Sequence, residues 1–208
     1  MFDGGPSRDS DDMPIPLILD NLIADKTIPP LVAAFIYQTA QRDREVGCSE
    51  PFAGFVATEL VPWLRRTYHV SAEPGRTVIA GMSGGGLMAA YCGLGHGDVF
   101  GNVLSLSGGF GWWPGSLEER MDEEPGWLTR RFVAAPRVPV RFFLAAGSFE
   151  NWFFPYSLLG ENRRLRDVLL AKGYRVDYRE FSGGHHPVSW RGPFVNGLVT
   201  LTRQQEHR

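Results

Sequence analysis

Residues 77–87, TVIAGMSGGGL, decide the fold of this 208-residue chain. Residues 77–82 are mostly apolar, which is typical of a buried strand, and a helical apolar stripe follows them. Between the two lies a G-x-S-x-G pattern formed by Gly81, Ser83 and Gly85. Glycines flank the serine because side chains would clash in a strained strand-to-helix turn that exposes the hydroxyl. The pattern predicts a serine nucleophile at Ser83; the alternative is a glycine-rich turn with an incidental serine.

The other parts of a hydrolytic site are expected around this turn and later in the chain. The backbone N–H of Gly84, at the start of a helix, is placed where an oxyanion would form. A serine hydroxyl needs a base, and the order nucleophile, acid, histidine puts that base after the last strand. His185 follows residues 174–181 and a glycine pair, and it is preferred over His186. The alternative is that both are ordinary histidines of an exposed loop.

A carboxylate is expected to orient the histidine, at the end of a strand between the serine and the histidine. Glu150 lies just beyond the predicted strand 140–146. Asp167 falls within a predicted helix and Asp177 within the last predicted strand, so both are placed less well. Glu150 is therefore the predicted acid, and an ordinary surface glutamate is the alternative.

Short apolar runs alternate with amphipathic stretches along the chain, which predicts an α/β fold with a mostly parallel sheet flanked by helices. Most of these runs are nearly continuous, as in strands that are buried on both faces. The predicted strands are residues 31–36, 77–82, 102–106, 140–146 and 174–181. The predicted helices include residues 51–68 and 162–172 and a last helix that starts at Pro193.

Composition excludes several classes of protein. With 43% hydrophobic and 21% charged residues, the chain is globular and long enough for one domain over residues 1–208. A net charge of −2 argues against nucleic-acid binding through a broad basic surface. The longest apolar run, residues 31–37, is too short to span a bilayer, and no signal peptide is visible, so we expect a cytoplasmic protein. Cys48 and Cys92 lack metal-site spacing, and a buried, inert thiol is expected at Cys92.

An ordered set of segments resembles the enterochelin (ferric siderophore) esterases and the wider esterase D-type hydrolases. The resemblance runs from Phe2 to about Leu201. The segments that carry it are residues 18–30 (ILDNLIADKTIPP), 42–45 (RDRE), 52–63 (FAGFVATELVPW), 81–85 (GMSGG), 104–108 (LSLSG), Trp112 and Trp113, 183–185 (GGH), and Trp190 and Arg191.

The resemblance implies an α/β-hydrolase fold, with Ser83 as nucleophile and His185 as base, that hydrolyses esters without a metal or organic cofactor. Members of this type cleave the ester backbone of catecholate siderophores. It also implies that Phe2 ends a central strand lying between residues 31–36 and 77–82, and that Gly5 N–H is the second oxyanion donor. We therefore expect a chain that lacks the first strands of the family at its N-terminus, and that is poorly stable or weakly active alone.

Candidate substrate contacts are the aromatic residues Phe110, Trp112, Trp113 and Trp190, whose rings would stack on a catechol or aryl group, and Arg42, which would hold an anionic substrate. The expected partner is a small-molecule ester, with no nucleic acid or membrane, and the sequence does not determine the oligomeric state. The expected function is a serine ester hydrolase acting on a catecholate siderophore or a similar ester. The alternatives are a general carboxylesterase, a feruloyl-type esterase, or a relative that has lost catalysis.

Overall fold

A sheet of four parallel strands organises the chain. The computed structural model describes residues 1–2, 11–37, 39–115, 124–151 and 156–202. The strands lie side by side in chain order, and their bounds are β1 Val78–Met82, β2 Asn102–Leu106, β3 Arg141–Gly147 and β4 Arg175–Phe181. All three neighbouring pairs are parallel, so the carboxyl ends of the four strands share one edge of the sheet. The predicted α/β alternation is confirmed for these strands.

Side chains of the inner strands alternate between two cores, as the pleat of a strand requires. Val103 and Phe142 belong to the core on one face, and their neighbours Leu104 and Phe143 belong to the core on the other. All four side chains are fully buried or nearly so. The near-continuous apolar runs of β2 and β3 therefore reflect a sheet that is covered on both sides.

The helices divide between the two faces. Helices α1 Ile15–Ala24 and α8 Pro187–Thr202 pack on one face, as their buried residues show. The other face carries α2 Arg42–Val46, α3 Glu50–Phe55, α4 Val61–Tyr68, α5 Gly84–Gly95, α6 Trp127–Ala134 and α7 Leu158–Ala171. None of the helices within the described ranges is long and apolar enough to cross a membrane.

Two prolines change the predicted helices. A π-helical segment, Val56–Leu60, joins α3 to α4 just before Pro62, so residues 51–68 are helical as predicted but not uniformly α-helical. Pro62 has no N–H for the carbonyl four residues earlier, which favours a local change of helical pitch. The prediction that Pro193 starts the last helix was wrong. α8 begins at Pro187, where a missing N–H costs nothing, and Pro193 lies inside it.

The predicted strand 31–36 was also wrong as a buried strand. The segment is extended, and its backbone bonds to Met1, with Ala34 O accepting from the Met1 amino group and Ile36 N donating to Met1 O. Phe2 N in turn donates to Ala80 O of β1 over 2.9 Å. Met1 and Phe2 thus lie between residues 31–36 and β1, as the resemblance implies. Pairing over so few residues forms no ladder, and Val32 is 45% exposed.

Both cysteine thiols are buried, as expected for Cys92. Burial raises the pKa of the Cys92 thiol to about 12 and raises the pKa of the Cys48 thiol as well, because a thiolate would lose its hydration in the core. A buried thiol that stays protonated is a poor nucleophile. The cysteines are thus packing residues.

Two glycines of α5 test how closely this helix packs on the sheet. A Cβ added at Gly93 would lie 2.5 Å from Cγ2 of the fully buried Val103, whereas nothing lies within 4 Å of a Cβ added at Gly95. Both substitutions improve helix propensity, by up to about 1 kcal/mol. We expect Gly93→Ala to lower the free energy of unfolding by about 1–3 kcal/mol, because the stiff valine cannot move aside. Gly95→Ala should leave it unchanged or raise it.

Urea denaturation of both variants and the wild type measures this difference. Equal stability of the two variants would show that α5 sits further from β2 than the structure places it.

Candidate active site

Ser83 occupies a strained turn between β1 and α5. Its φ of +54° and ψ of −122° are rare for a residue with a side chain. A Cβ added at Gly81 would overlap the carbonyl group of Gly85, so the turn tolerates no side chain there. These are the features of a turn that lifts a nucleophile above the carboxyl end of a strand. The strand, turn and helix predicted from residues 77–87 lie as expected.

Backbone hydrogen bonds hold this turn to the end of β2, to the loop that follows β2 and to the first turn of α5. Ser83 N donates to Leu106 O over 3.0 Å, and Ser83 O accepts from Gly109 N over 3.0 Å and from Leu87 N over 3.1 Å. Because both backbone polar groups of Ser83 are bonded, its side chain is presented from a fixed position. Ser83 itself is only partly buried.

The N-terminus of α5 and one arginine lie beside the turn. Gly84 is the first residue of α5, and the first N–H groups of a helix have no acceptor within the helix. A Cβ added at Gly84 would lie 2.9 Å from Val46 Cγ2 and 3.8 Å from Arg42 Nη2, so α2 approaches closely here. The Arg42 side chain is 45% exposed, and its Nη1 lies 3.4 Å from Asp43 Oδ1. One N–H and one cation, which is paired with Asp43, therefore lie beside the turn; Gly5 lies outside the described residues.

His185 and Glu150 form a hydrogen-bonded pair. His185 Nδ1 lies 2.8 Å from Glu150 Oε1, and Glu150 Oε2 accepts from Gly147 N over 2.7 Å. The side chain of Glu150 is 2% exposed and that of His185 is 26% exposed. An ionised Glu150 places the imidazole proton on Nδ1, so that the lone pair of the neutral ring is on Nε2. The arrangement favours Glu150 as the residue that orients His185.

The loops after β3 and β4 are joined through their backbones. Phe149 N donates to Gly183 O over 3.1 Å, and Ser148 N donates to Phe181 O over 2.8 Å. A Cβ added at Gly147 would overlap Gly183 O, so the glycines permit this approach. The loop that carries Glu150 and the loop that carries His185 therefore have a fixed spacing.

His186, the alternative base, points elsewhere. Its Nδ1 accepts from Val188 N over 3.3 Å, and its Nε2 lies 4.0 Å from Asp12 Oδ2. Its side chain is 60% exposed. The geometry favours His185, because the buried carboxylate partner is on that residue.

The shared edge of the sheet brings the three predicted catalytic residues to one side of the molecule. Ser83 follows β1, Glu150 follows β3 and His185 follows β4, each at the carboxyl end of its strand. This is the edge at which open α/β sheets place their binding sites.

Three of the four predicted aromatic contacts are buried, which does not support direct stacking on a substrate. Phe110 is 0%, Trp113 1% and Trp190 7% exposed. Trp112 is half-buried, and its ring lies 3.1 Å from a Cβ added at Gly47, which directly follows α2. Of the four, Trp112 is best placed to meet a ligand.

Sequence reasoning missed Ser107. It follows β2 at the same edge of the sheet, and its hydroxyl accepts a hydrogen bond from Trp190 Nε1 over 2.8 Å. Its position directly after a predicted strand was a signal that could have drawn attention to it.

Comparisons with known proteins relate this chain to esterases. The Iron(III) enterobactin esterase of Dickeya dadantii (strain 3937) is 33% identical over 201 residues, which cover 92% of this chain and 45% of that protein. An endo-1,4-beta-xylanase/feruloyl esterase of Xylanibacter ruminicola is 32% identical over 181 residues, covering 84% of this chain and 22% of that protein. The crystal structure of the Shigella flexneri enterobactin esterase in the presence of enterobactin superimposes with a TM-score of 0.82 at 33% identity, covering 96% of this chain and 49% of that one.

The chain spans about half the length of the enterobactin esterases that it matches. Their shared fold is the α/β-hydrolase fold expected from the sequence. The family described as Putative esterase matches residues 11–201, which is most of the chain. The resemblance to enterochelin esterases is confirmed by these enterobactin esterase relatives. The protein therefore belongs to this esterase family.

Proposed function

We propose that the protein is a serine carboxylic ester hydrolase with Ser83 as nucleophile, His185 as base and Glu150 as the orienting acid. The observation that carries the proposal is the 2.8 Å contact between His185 Nδ1 and the buried Glu150, at the sheet edge that also holds the strained Ser83 turn. A histidine oriented by a buried carboxylate is what a serine hydroxyl needs to become a nucleophile.

The reaction proceeds in two halves. Ser83 Oγ attacks the carbonyl carbon of the ester while its proton passes to His185 Nε2, and Gly84 N–H binds the oxygen that becomes negative. The intermediate collapses, the C–O bond to the alcohol breaks, and the alcohol leaves with the proton from His185. Water then attacks the acyl-serine with the help of the same histidine, which releases the acid and restores Ser83.

The proposed substrate is an ester of a catecholate siderophore, with its iron as cargo. Support comes from the relatives named enterobactin esterase and from a related structure obtained in the presence of enterobactin. Arg42 beside the Ser83 turn supplies a cation for an anionic ferric catecholate, and the half-buried Trp112 supplies an aromatic surface near α2.

A second candidate is an ester of an aromatic acid that carries no metal. The Xylanibacter ruminicola relative includes a feruloyl esterase in its name, and 32% identity to it extends over most of this chain. The same catalytic residues would serve, because the two reactions differ in the groups attached to the ester rather than in the ester itself.

The nucleophile is tested with a fluorophosphonate probe. We expect one label per wild-type chain and none on Ser83→Ala, because Ser83 is the activated hydroxyl. The control is Ser105→Ala, which removes a fully buried serine of β2 and should still be labelled. Intact-mass spectrometry counts the labels. A folded wild type that takes none contradicts the proposal.

The role of Glu150 is tested by substitutions that alter one charge. Glu150→Gln keeps the size of the side chain but removes the charge that holds the His185 tautomer, and kcat should fall by about 10²–10⁴-fold. Glu161 of α7 is a matched control, since it is a second buried glutamate and burial raises its pKa. Glu161→Gln should leave kcat within about twofold, as measured with a p-nitrophenyl ester. Equal kcat for both variants would remove Glu150 from the proposal.

The substrate class is tested by comparing a neutral p-nitrophenyl ester, a methyl ferulate and a ferric catecholate triester. We expect Arg42→Ala to raise KM for the anionic ferric complex by about tenfold or more, because a charge-assisted contact is lost. KM for the neutral ester should not change. Arg44→Ala is the control on the same short helix. Turnover of the two simple esters with no turnover of the ferric complex would favour the second candidate.

A further inference from the structure

Trp190 packs against the histidine of the candidate site. It lies in the first turn of α8 and is 7% exposed. Its ring meets the His185 ring nearly at right angles, with the ring centres 5.0 Å apart and an angle of 87° between the planes. Such edge-to-face contacts are favourable and directional. Trp190 thus contacts His185 from the helix that follows the histidine loop.

The indole of Trp190 is itself fixed by Ser107. Trp190 Nε1 donates to Ser107 Oγ over 2.8 Å, and both residues are buried. Ser107 N donates to Ala145 O of β3 over 2.6 Å, and Ser107 has a positive φ of 48°. The hydroxyl therefore projects from a backbone that is tied to the sheet. A buried indole N–H needs such an acceptor, and a phenylalanine would have no group to offer it.

The direction of the His185 ring matters as much as its position. Glu150 bonds the ring at Nδ1 over 2.8 Å, and Trp190 contacts it through its face or edge at a different point of the ring. Proton transfer from a serine needs both the position and the direction of Nε2.

We propose that Trp190, anchored by the Ser107 hydroxyl, is a positioning residue that sets the plane of His185 for proton transfer. This rests on the proposed function of His185 as the base. Trp190 acts through His185 and not on the substrate, which replaces the aromatic substrate contact expected from the sequence. Ser107 acts one step further away, through the indole.

Steady-state kinetics on a p-nitrophenyl ester separate these roles. We expect Trp190→Phe to lower kcat by about 10- to 100-fold with KM within about twofold, because misplacement of a catalytic group slows the chemical step. Ser107→Ala should lower kcat by a smaller factor, again with KM unchanged. Adding Ser107→Ala to Trp190→Phe should change nothing further, because the hydroxyl then has no indole to hold.

The matched control is Phe194→Leu, which shortens another buried aromatic residue one turn along α8. It should lower the melting temperature and leave kcat unchanged when assayed well below that temperature. A rise of KM without loss of kcat in Trp190→Phe would overturn the proposal in favour of a substrate contact. Additive losses in the double variant would overturn the part assigned to Ser107.

A measurement that needs no substrate turnover tests the role of Trp190 separately from the proposed esterase activity. The ¹⁵N resonances of the His185 ring report which nitrogen carries the proton and how uniformly the ring is held. We expect Trp190→Phe and Ser107→Ala to broaden or shift these resonances, and Phe194→Leu to leave them in place. Unchanged resonances in folded Ser107→Ala and Trp190→Phe would overturn the inference. A wild type that turns over no ester refutes the proposed function instead, and the resonances still decide the packing role.

Discussion

The strained backbone at Ser83 is the constraint on which the site depends. A positive φ at a residue with a side chain costs about 1–3 kcal/mol and persists only where neighbouring structure enforces it. Here the enforcement comes from the close approach of Gly81 to Gly85 and from hydrogen bonds of Ser83 to Leu106 at the end of β2 and to Gly109 in the loop after it. Because β1 leads directly into α5, the hydroxyl and the first N–H of the helix are placed together. The turn therefore places two of the groups that the proposed reaction needs.

The parallel sheet explains how distant residues meet. Glu150 and His185 are 35 positions apart, yet β3 and β4 are neighbours and their loops bond to each other through Phe149 N and Ser148 N. A buried carboxylate is costly unless its oxygens are paired, and both oxygens of Glu150 have partners. The end of β2 and the loop after it take part as well, since Leu106 O accepts from Ser83 N and Ser107 Oγ accepts from Trp190 Nε1. The four strand ends therefore form one connected site.

The two lateral edges of the sheet are more exposed than the buried strands β2 and β3. β4 carries exposed charged residues, and Arg163 of α7 pairs with Glu180 at 2.7 Å. Exposed charges on an edge strand discourage pairing with another chain. At the opposite edge of the sheet, beyond β1, residues 31–36 form an extended and partly exposed segment that is hydrogen-bonded to Met1. The buried strands β2 and β3 thus carry the core, while the site depends on loops that follow all four strands.

The sequence by itself determined the four strands of the described sheet, most of the helices and the turn at Ser83, and it predicted His185 and Glu150 as partners of Ser83. These follow from local patterns: apolar runs, the helical period, and glycines where side chains would clash. The sequence could not determine that Pro193 lies inside α8, that residues 31–36 are partly exposed, or that Phe110, Trp113 and Trp190 are buried. Only the tertiary structure decided that His185 bonds the buried Glu150 while His186 lies near Asp12, and that Trp190 bonds Ser107. Those contacts join residues far apart in the chain, and they depend on distances and directions that no local pattern encodes.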